Sequence, residues 1–500
     1  MKGRLKPGQM IAADTETGKL LLPNDIDNML KSANPYKQWM KERSRRLKSH
    51  LEEASITERM DSDELDVFQK MFQVTFEERD QILRVLGEDG QEAVGSMGDD
   101  TPFPVLSSRV RSPFDNFRQQ FAQVTNPPID PMREQIVMSL ETCLGRERNM
   151  FEETPAHADR LLVDSPVLSY SKFEQLLDLG DSDPDYATEV ISLNYPADVP
   201  LDKAIVDIAD KAESAVRSGK VVLVLSDRDI DRDKQPVHAL FATGAVHHHL
   251  VNAGLRCDAN IIVETATARD PHHFAVLIGY GATCVYPYLA YECLNDLLRT
   301  GEIRDMVPEK LEHNFRKGIN KGLYKITSKM GISTIASYRG AQLFESVGLD
   351  QGVVDLCFIG TTNRVGGIRF EHFDQDQKLL CKVAWNKRKG IDQGGLLKFV
   401  HGGEEHAYNP DVVGTMQAAV RSADFSKWKE YSALVNQRKP IALRDLLRLR
   451  DDITAIPVED VEPMEEIVRR FDSAAMSLGA LSPEAHQTLA AAMNRRSKTR

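Results

Sequence analysis

LDKAIVDIADKAESAVRSGKVVLVL, residues 201–225, is the stretch that decides the fold. Ala204, Ile205, Ile208, Ala209, Ala212, Ala215 and Val216 recur at helical spacing and form one apolar stripe. Gly219 ends that helix, and VVLVL at 221–225 follows as an unbroken apolar run, the mark of a strand buried on both faces. A helix that hands over to such a strand predicts a parallel sheet with right-handed crossovers. The cycle recurs downstream as a helix near Ala242–Ala253, a strand Ala259–Val263, a helix Pro271–Tyr280 opened by Asp270, and a strand Thr283–Tyr286. The expected fold class is α/β, with a mostly parallel sheet or a degenerate (β/α) barrel-like central domain.

Working outward, the first residues hold a Pro-Gly turn, an apolar run Met10–Ala13, a turn around Asp14–Gly18 and then Leu20–Leu22, which reads as a hairpin without its sheet. A lone strand pair is marginal in water, so its partners are expected in a domain upstream. Residues 34–95 carry apolar positions at helical spacing among many charges and read as a helical connector. From Gly95 to Pro131, Gly, Pro, Asp and Asn surround helix-like residues Asp115–Ala122, as ordered irregular backbone near an interface would. Downstream, LEHNFRKGINKGLYKITSKMG predicts a helix, STIASYRG a short strand and AQLFESVGL a helix. Residues 360–410 lose periodicity and predict a long glycine-rich loop between domains, with two amphipathic helices resuming after Pro410. The last unit, FDSAAMSLGALSPEAHQTLAAAMN, reads as a small-residue strand, a turn, and a helix capped by Ser482 with Pro483 at its first position.

The chain has 500 residues, with 63 Lys and Arg against 75 Asp and Glu, a formal charge of −12. That balance disfavours nucleic acid and anionic membrane as partners. No apolar run approaches the roughly 18 residues a membrane span needs. Six cysteines without a CxxC pair, and no secretory segment, point to a reducing, cytoplasmic compartment with inert thiols and no structural zinc.

Several residues invite a chemical reading. His247, His248 and His249 are consecutive, so on a helix they point three ways and cannot hold one metal. His272 and His273 follow ARDP just past the carboxyl end of a strand, where ligands sit in α/β folds. Ser226, Asp227 and Arg228 follow VVLVL at the same edge, where they can hold an anion or build a domain contact. No GxxxxGK[ST] loop, GxGxxG turn or GxSxG elbow is present, so nucleotide hydrolysis and serine hydrolase chemistry lack their machinery. In AAMSLGALSPEAH, small residues permit close backbone approach, as a flavin platform or an ordinary packing seam requires.

VLGEDGQEAVGSMGDDTPFPVLS, FRQQFAQVTNPPIDPMRE, CDANIIVETATARDPHHFAVLIGYGAT, KGLYKITSKMGISTIASYRGAQLFE and FDSAAMSLGALSPEAHQTLAAAMN together resemble the large (alpha) subunit of bacterial, NADPH-dependent glutamate synthase, over nearly the whole chain. The resemblance implies that an amidotransferase releases ammonia from glutamine, the ammonia passes through a tunnel, and FMN reduces the imine it forms with 2-oxoglutarate. Two glutamates result. It further implies a small flavin and iron–sulfur subunit as partner, and a 3Fe–4S cluster on the large subunit.

On this reading residues 1–30 are the tail of an amidotransferase domain and 31–350 the central domain with its helical connector. Residues 351–470 lead into the synthase domain, and 471–500 begin a TIM-type FMN barrel. Flavin contacts carry over only to Met476, Ser477, Gly479, Ala480 and Ser482; no catalytic residue and no metal ligand carries over. Two departures stand out. Met1 and Lys2 cannot replace the family's amino-terminal cysteine nucleophile, and after Met493 and Asn494 the chain reads RRSKTR instead of a GGxSxSGEGGED segment. The expectation is therefore a truncated or frameshifted piece, inactive and without stable FMN when alone. The alternatives are a non-catalytic docking scaffold and a stand-alone enzyme using Asp227, His272 and His273.

Overall fold

Four parallel strands, Thr188–Ser192 (β1), Val222–Ser226 (β2), Asn260–Glu264 (β3) and Cys284–Tyr286 (β4), lie side by side in chain order. The structure is a computed structural model and describes residues 3–47, 59–95, 98–122, 124, 129–474, 477 and 479–497. Val190, Val224, Ile262 and Cys284 form one row across the sheet. The crossovers are the helices Leu201–Arg217 (α1), Ala239–Asn252 (α2) and Pro271–Gly279 (α3), followed by Tyr288–Arg299 (α4) and Pro308–Met330 (α5). Because each strand adds beside its predecessor, right-handed crossovers place successive helices on one face, and α1 packs on α2 and α2 on α3. The sheet is open: among the described residues its strands do not close into a barrel.

Local chemistry explains these elements. The α1 stripe is buried while its Lys, Asp and Glu positions face outward. Asp270 caps α3 by accepting the His273 N–H at 3.0 Å, and Pro271 opens the helix. Gly331, at φ +70°, ends α5 in the left-handed region. β2, β3 and β4 are buried at every position, whereas the edge strand β1 leaves Val190 exposed. The hairpin expected near the start is present, with Ala12–Ala13 pairing antiparallel to Leu20–Leu21.

Other expectations need correction. Residues 115–122 do not form one helix: a 3-10 turn at Pro113–Asn116 runs into a strand at Phe117–Gln119. STIASYRG holds the short helix Ile335–Tyr338, and AQLFESVGL holds the strand Phe344–Leu349. Phe344 and Ser346 are buried while Glu345 and Val347 are half exposed, a period of two that a short window with Gly348 conceals. That strand runs parallel to Thr362–Ile368 and antiparallel to Phe117–Gln119. Residues 360–410 are therefore not one loop, since the strand Thr362–Ile368 and the helix Phe370–Ala384 occupy their first half. The helices Pro410–Ser422 and Phe425–Asn436 follow as expected.

A second unit begins at Arg444. Its longest helix, Pro483–Ser497, starts after Ser482, whose Oγ accepts the Ala485 N–H at 3.3 Å. The strand expected before it is not formed by the described residues, which at Gly479–Ala480 make a turn closed by Ala480 N–H on the Ser477 carbonyl at 3.0 Å. No helix among the described residues is long and apolar enough to cross a membrane.

Candidate functional site

The carboxyl edge of the parallel sheet gathers the sequence-flagged residues and several that were not flagged. β2 ends in Ser226 and β3 in Glu264, which are register partners. Ser226 Oγ donates to Glu264 Oε2 and Arg228 Nε to Oε1, each at 2.7 Å. The Arg228 guanidinium also lies 4.4 Å above the Tyr288 ring.

Asp227 is wholly buried. Its carboxylate accepts the Thr265 hydroxyl at 2.5 Å, the Tyr288 hydroxyl at 2.8 Å and the Ala266 N–H at 3.0 Å. Burial pushes the Asp227 carboxyl up to about 6, against the pull of those hydrogen bonds. Burial and the adjacent Asp227 charge hold the Tyr288 phenol well above its ordinary range. Beside them, buried Arg269 donates to Glu78 Oε1 at 2.6 Å and to the Ala266 carbonyl at 2.8 Å, joining the sheet edge to the helical run Phe76–Asp89. The carboxylates of Asp227, Glu264 and Glu78 thus each meet donors from within the fold. The arrangement locks strands to helices, with Arg228 as its partly exposed member.

The histidines serve the same end. His273 Nδ1 accepts the Arg269 N–H at 3.2 Å, and its ring stacks on Phe114 at 4.4 Å. His272 Nε2 bonds the Phe114 carbonyl at 3.1 Å. His238, unflagged in the sequence, caps α2 by accepting the Leu240 N–H at 3.2 Å, and burial presses its pKa down to about 3. His247, His248 and His249 do point three ways, to Arg256, Gln342 and Glu213. No cluster of three or more metal-ligating side chains exists among the described residues.

Sequence reading missed Glu264, Tyr288 and Arg269. The available signal for Glu264 was a lone charge closing the apolar strand NIIVE; Tyr288 and Arg269 carry no such mark.

Of the residues assigned to flavin, Met476 lies outside the described residues. Ser477, Gly479, Ala480 and Ser482 are all exposed, and Ser482 is engaged as the helix cap. A Cβ at Gly479 would meet nothing within 4 Å.

Comparison with known proteins now bears on the whole chain. Residues 68–350 match the family described as glutamate synthase central domain. The chain belongs to the glutamate synthase family. Residues 406–499 match a conserved region in glutamate synthase and residues 1–39 match class-II glutamine amidotransferases. The chain is 40% identical over 506 residues to the glutamate synthase [NADPH] large chain of Azospirillum brasilense, and 38% identical over 496 residues to that of Bacillus subtilis. Identity to the ferredoxin-dependent chloroplastic glutamate synthase of Oryza sativa is 39% over 508 residues. Each alignment covers 99% of this chain but only 31–33% of the relative, so the chain spans about a third of their length.

Proposed function

We propose that this chain is the central part of a glutamate synthase large subunit, serving the reductive conversion of 2-oxoglutarate and glutamine-derived ammonia to glutamate in the cytoplasm. The observation that carries this reading is the alignment of 99% of the chain with NADPH-type large chains. The boundaries follow the sequence reading: amidotransferase tail at 1–30, central domain at 31–350, lead into the synthase domain at 351–470, and first barrel elements at 471–500. FMN and a 3Fe–4S cluster belong to the complete subunit, with Met476, Ser477, Gly479, Ala480 and Ser482 contributing to the flavin site only when further barrel elements surround them. Glutamine, 2-oxoglutarate and the small subunit are its substrates and partner in that assembly.

Within this reading the described sheet edge supports a positioning role, because Asp227, Glu264 and Glu78 are engaged in holding the fold together. A structural middle piece keeps two reaction centres apart and a neutral nucleophile out of bulk water. Exposed apolar side chains such as Leu449, Val458 and Phe471 favour a piece that packs against further domains.

The test mixes the chain with separately expressed amidotransferase and FMN domains and the small subunit, then follows NADPH oxidation. Oxidation dependent on both glutamine and 2-oxoglutarate is expected from the mixture only, with no flavin absorbance in the chain alone. Turnover by the chain alone, or failure to associate with either domain, overturns the reading.

A further inference from the structure

The glycine-rich segment 390–409 is built around two side chains. Glu77 fills a nest of backbone donors: its Oε2 accepts the N–H of Gly395 and Leu396 at 2.8 Å and of Leu397 at 3.2 Å, and its Oε1 that of Lys398 at 2.8 Å. Gly394 and Gly395, at φ +98° and +103°, make this turn possible, and a Cβ on Gly394 would lie 2.5 Å from Glu77 Cβ. The loop therefore closes on an internal anion, which leaves no room there for a phosphate.

His406 closes the loop's other end. Its Nδ1 lies 2.7 Å from Asp100 Oδ1 and its Nε2 2.9 Å from the Gly395 carbonyl. Both partners are acceptors, and a neutral imidazole carries only one N–H, so the two bonds coexist only in the imidazolium. Asp100 in turn accepts the Tyr408 N–H at 3.0 Å, and its carbonyl accepts the Ala407 N–H at 3.0 Å. Several charged groups on and beside the loop are paired. Buried Glu404 accepts Ser107 Oγ at 2.7 Å and Arg111 Nη1 at 3.3 Å, Arg109 pairs with Asp392 at 3.7 Å, and Arg438 donates to the Ala407 carbonyl at 3.2 Å. The Phe399 ring meets His406 edge-on, with centroids 6.1 Å apart.

We propose that segment 390–409 is a proton-operated clasp: charged His406 bridges Asp100 and Gly395 and keeps the glycine loop wrapped on Glu77, and loss of its proton frees the loop from the helical connector. Burial opposes the His406 charge, but the bonds to Gly395 and Asp100 and the nearby Glu77 outweigh it and hold its pKa above the ordinary histidine value. The sign follows. The clasp is fully formed below about 6.5, the unfolded histidine value, and opens as pH rises through the higher folded value. This inference does not depend on the proposed function, because it concerns only contacts within the chain.

Amide exchange on the intact chain between pH 5.5 and 8.5, normalised to unstructured-peptide rates, tests it. Protection of residues 395–398 is expected to fall about tenfold or more toward high pH, as loss of a charge-assisted bond implies, while the β2 amides stay protected. His406→Gln is expected to abolish that pH dependence, and Asp100→Asn to move its midpoint downward. Flat protection in the unaltered chain overturns the clasp. So does the unaltered profile in H406Q or, should that variant not fold, an unmoved midpoint in D100N.

Discussion

Tyr288 donates its phenolic hydrogen to Asp227 over 2.8 Å, so the first residue of α4 is bonded to the residue that follows β2. The two are sixty-one positions apart in the chain, and the bond fixes where α4 starts against the sheet. Tyr288→Phe keeps the ring beneath Arg228 and removes only the hydroxyl, leaving a buried carboxylate one donor short. The expected cost is about 1–3 kcal/mol of unfolding free energy, measured by urea titration. A loss indistinguishable from zero would mean that Asp227 does not need this donor.

The same carboxyl has an unusual pH signature. Its folded pKa, near 6, lies above the ordinary Asp value of 3.8, so between those values the folded chain binds the proton more tightly than the unfolded chain. Stability contributed by Asp227 therefore falls as pH rises through that window, by on the order of 2–3 kcal/mol, the reverse of a salt-bridged aspartate. Comparing unfolding free energies at pH 4 and pH 6.5 isolates the effect, because Asp227→Asn should remove this part of the slope. An equal slope in D227N would assign it to other groups.

Much of this architecture was legible in the residues, and the reason is periodicity. The α1 stripe and the apolar runs of β2 and β3 are long enough for their period to exceed the noise of single positions. Phe344–Leu349 was not legible, because its six residues include a glycine and its antiparallel partner strand at 117–119 lies far away in sequence. Asp227 could be singled out by its place after a buried strand. Its bond to Tyr288 could not, since it depends on how the helix after β4 approaches the sheet. The Glu77 nest was hidden for a similar reason: glycines at 394 and 395 announce a turn, but the anion they enclose comes from more than three hundred residues earlier.

Gly244 lies in the middle of α2, where alanine would ordinarily stabilise a helix by about 1 kcal/mol. Here a Cβ would stand 2.2 Å from the Cys357 carbonyl oxygen and 3.1 Å from the Phe358 ring. A backbone oxygen cannot turn aside as a flexible side chain can, so the steric term decides the sign. Gly244→Ala is expected to lower stability by about 1–3 kcal/mol, read from the urea midpoint at unchanged slope. A rise in midpoint would show that the segment Gln351–Cys357 yields easily.

Buried Arg269 and half-buried Glu78 form an ion pair at 2.6 Å, and Arg79 on the next residue pairs with buried Asp296 at 2.8 Å. Together they fasten the helical run Phe76–Asp89 to the sheet edge and to α4. Arg269→Ala strands the Glu78 charge without its partner and leaves the Ala266 carbonyl without its side-chain donor, an expected loss of about 3–5 kcal/mol. Glu78→Gln keeps an acceptor for the guanidinium and should cost less. The order of the two losses is the informative quantity, and a smaller loss in R269A than in E78Q would contradict this account of the joint.

The six cysteines divide sharply by environment, and thiol titration reads that division directly. Cys257 is exposed in the 3-10 turn Arg256–Asp258, Cys143 and Cys381 are half-buried, and Cys284, Cys293 and Cys357 are buried. Burial pushes the thiols of Cys284 and Cys293 up to about 12 and that of Cys357 well above its ordinary value, so these three are protonated and shielded at neutral pH. Burial also raises Cys143 and Cys381, less strongly. With a disulfide reagent at pH 8, one thiol is expected to react fast, two slowly, and three only after denaturation. Cys257→Ser should delete the fast phase alone. Rapid reaction of a second thiol in the folded chain would contradict this division of environments.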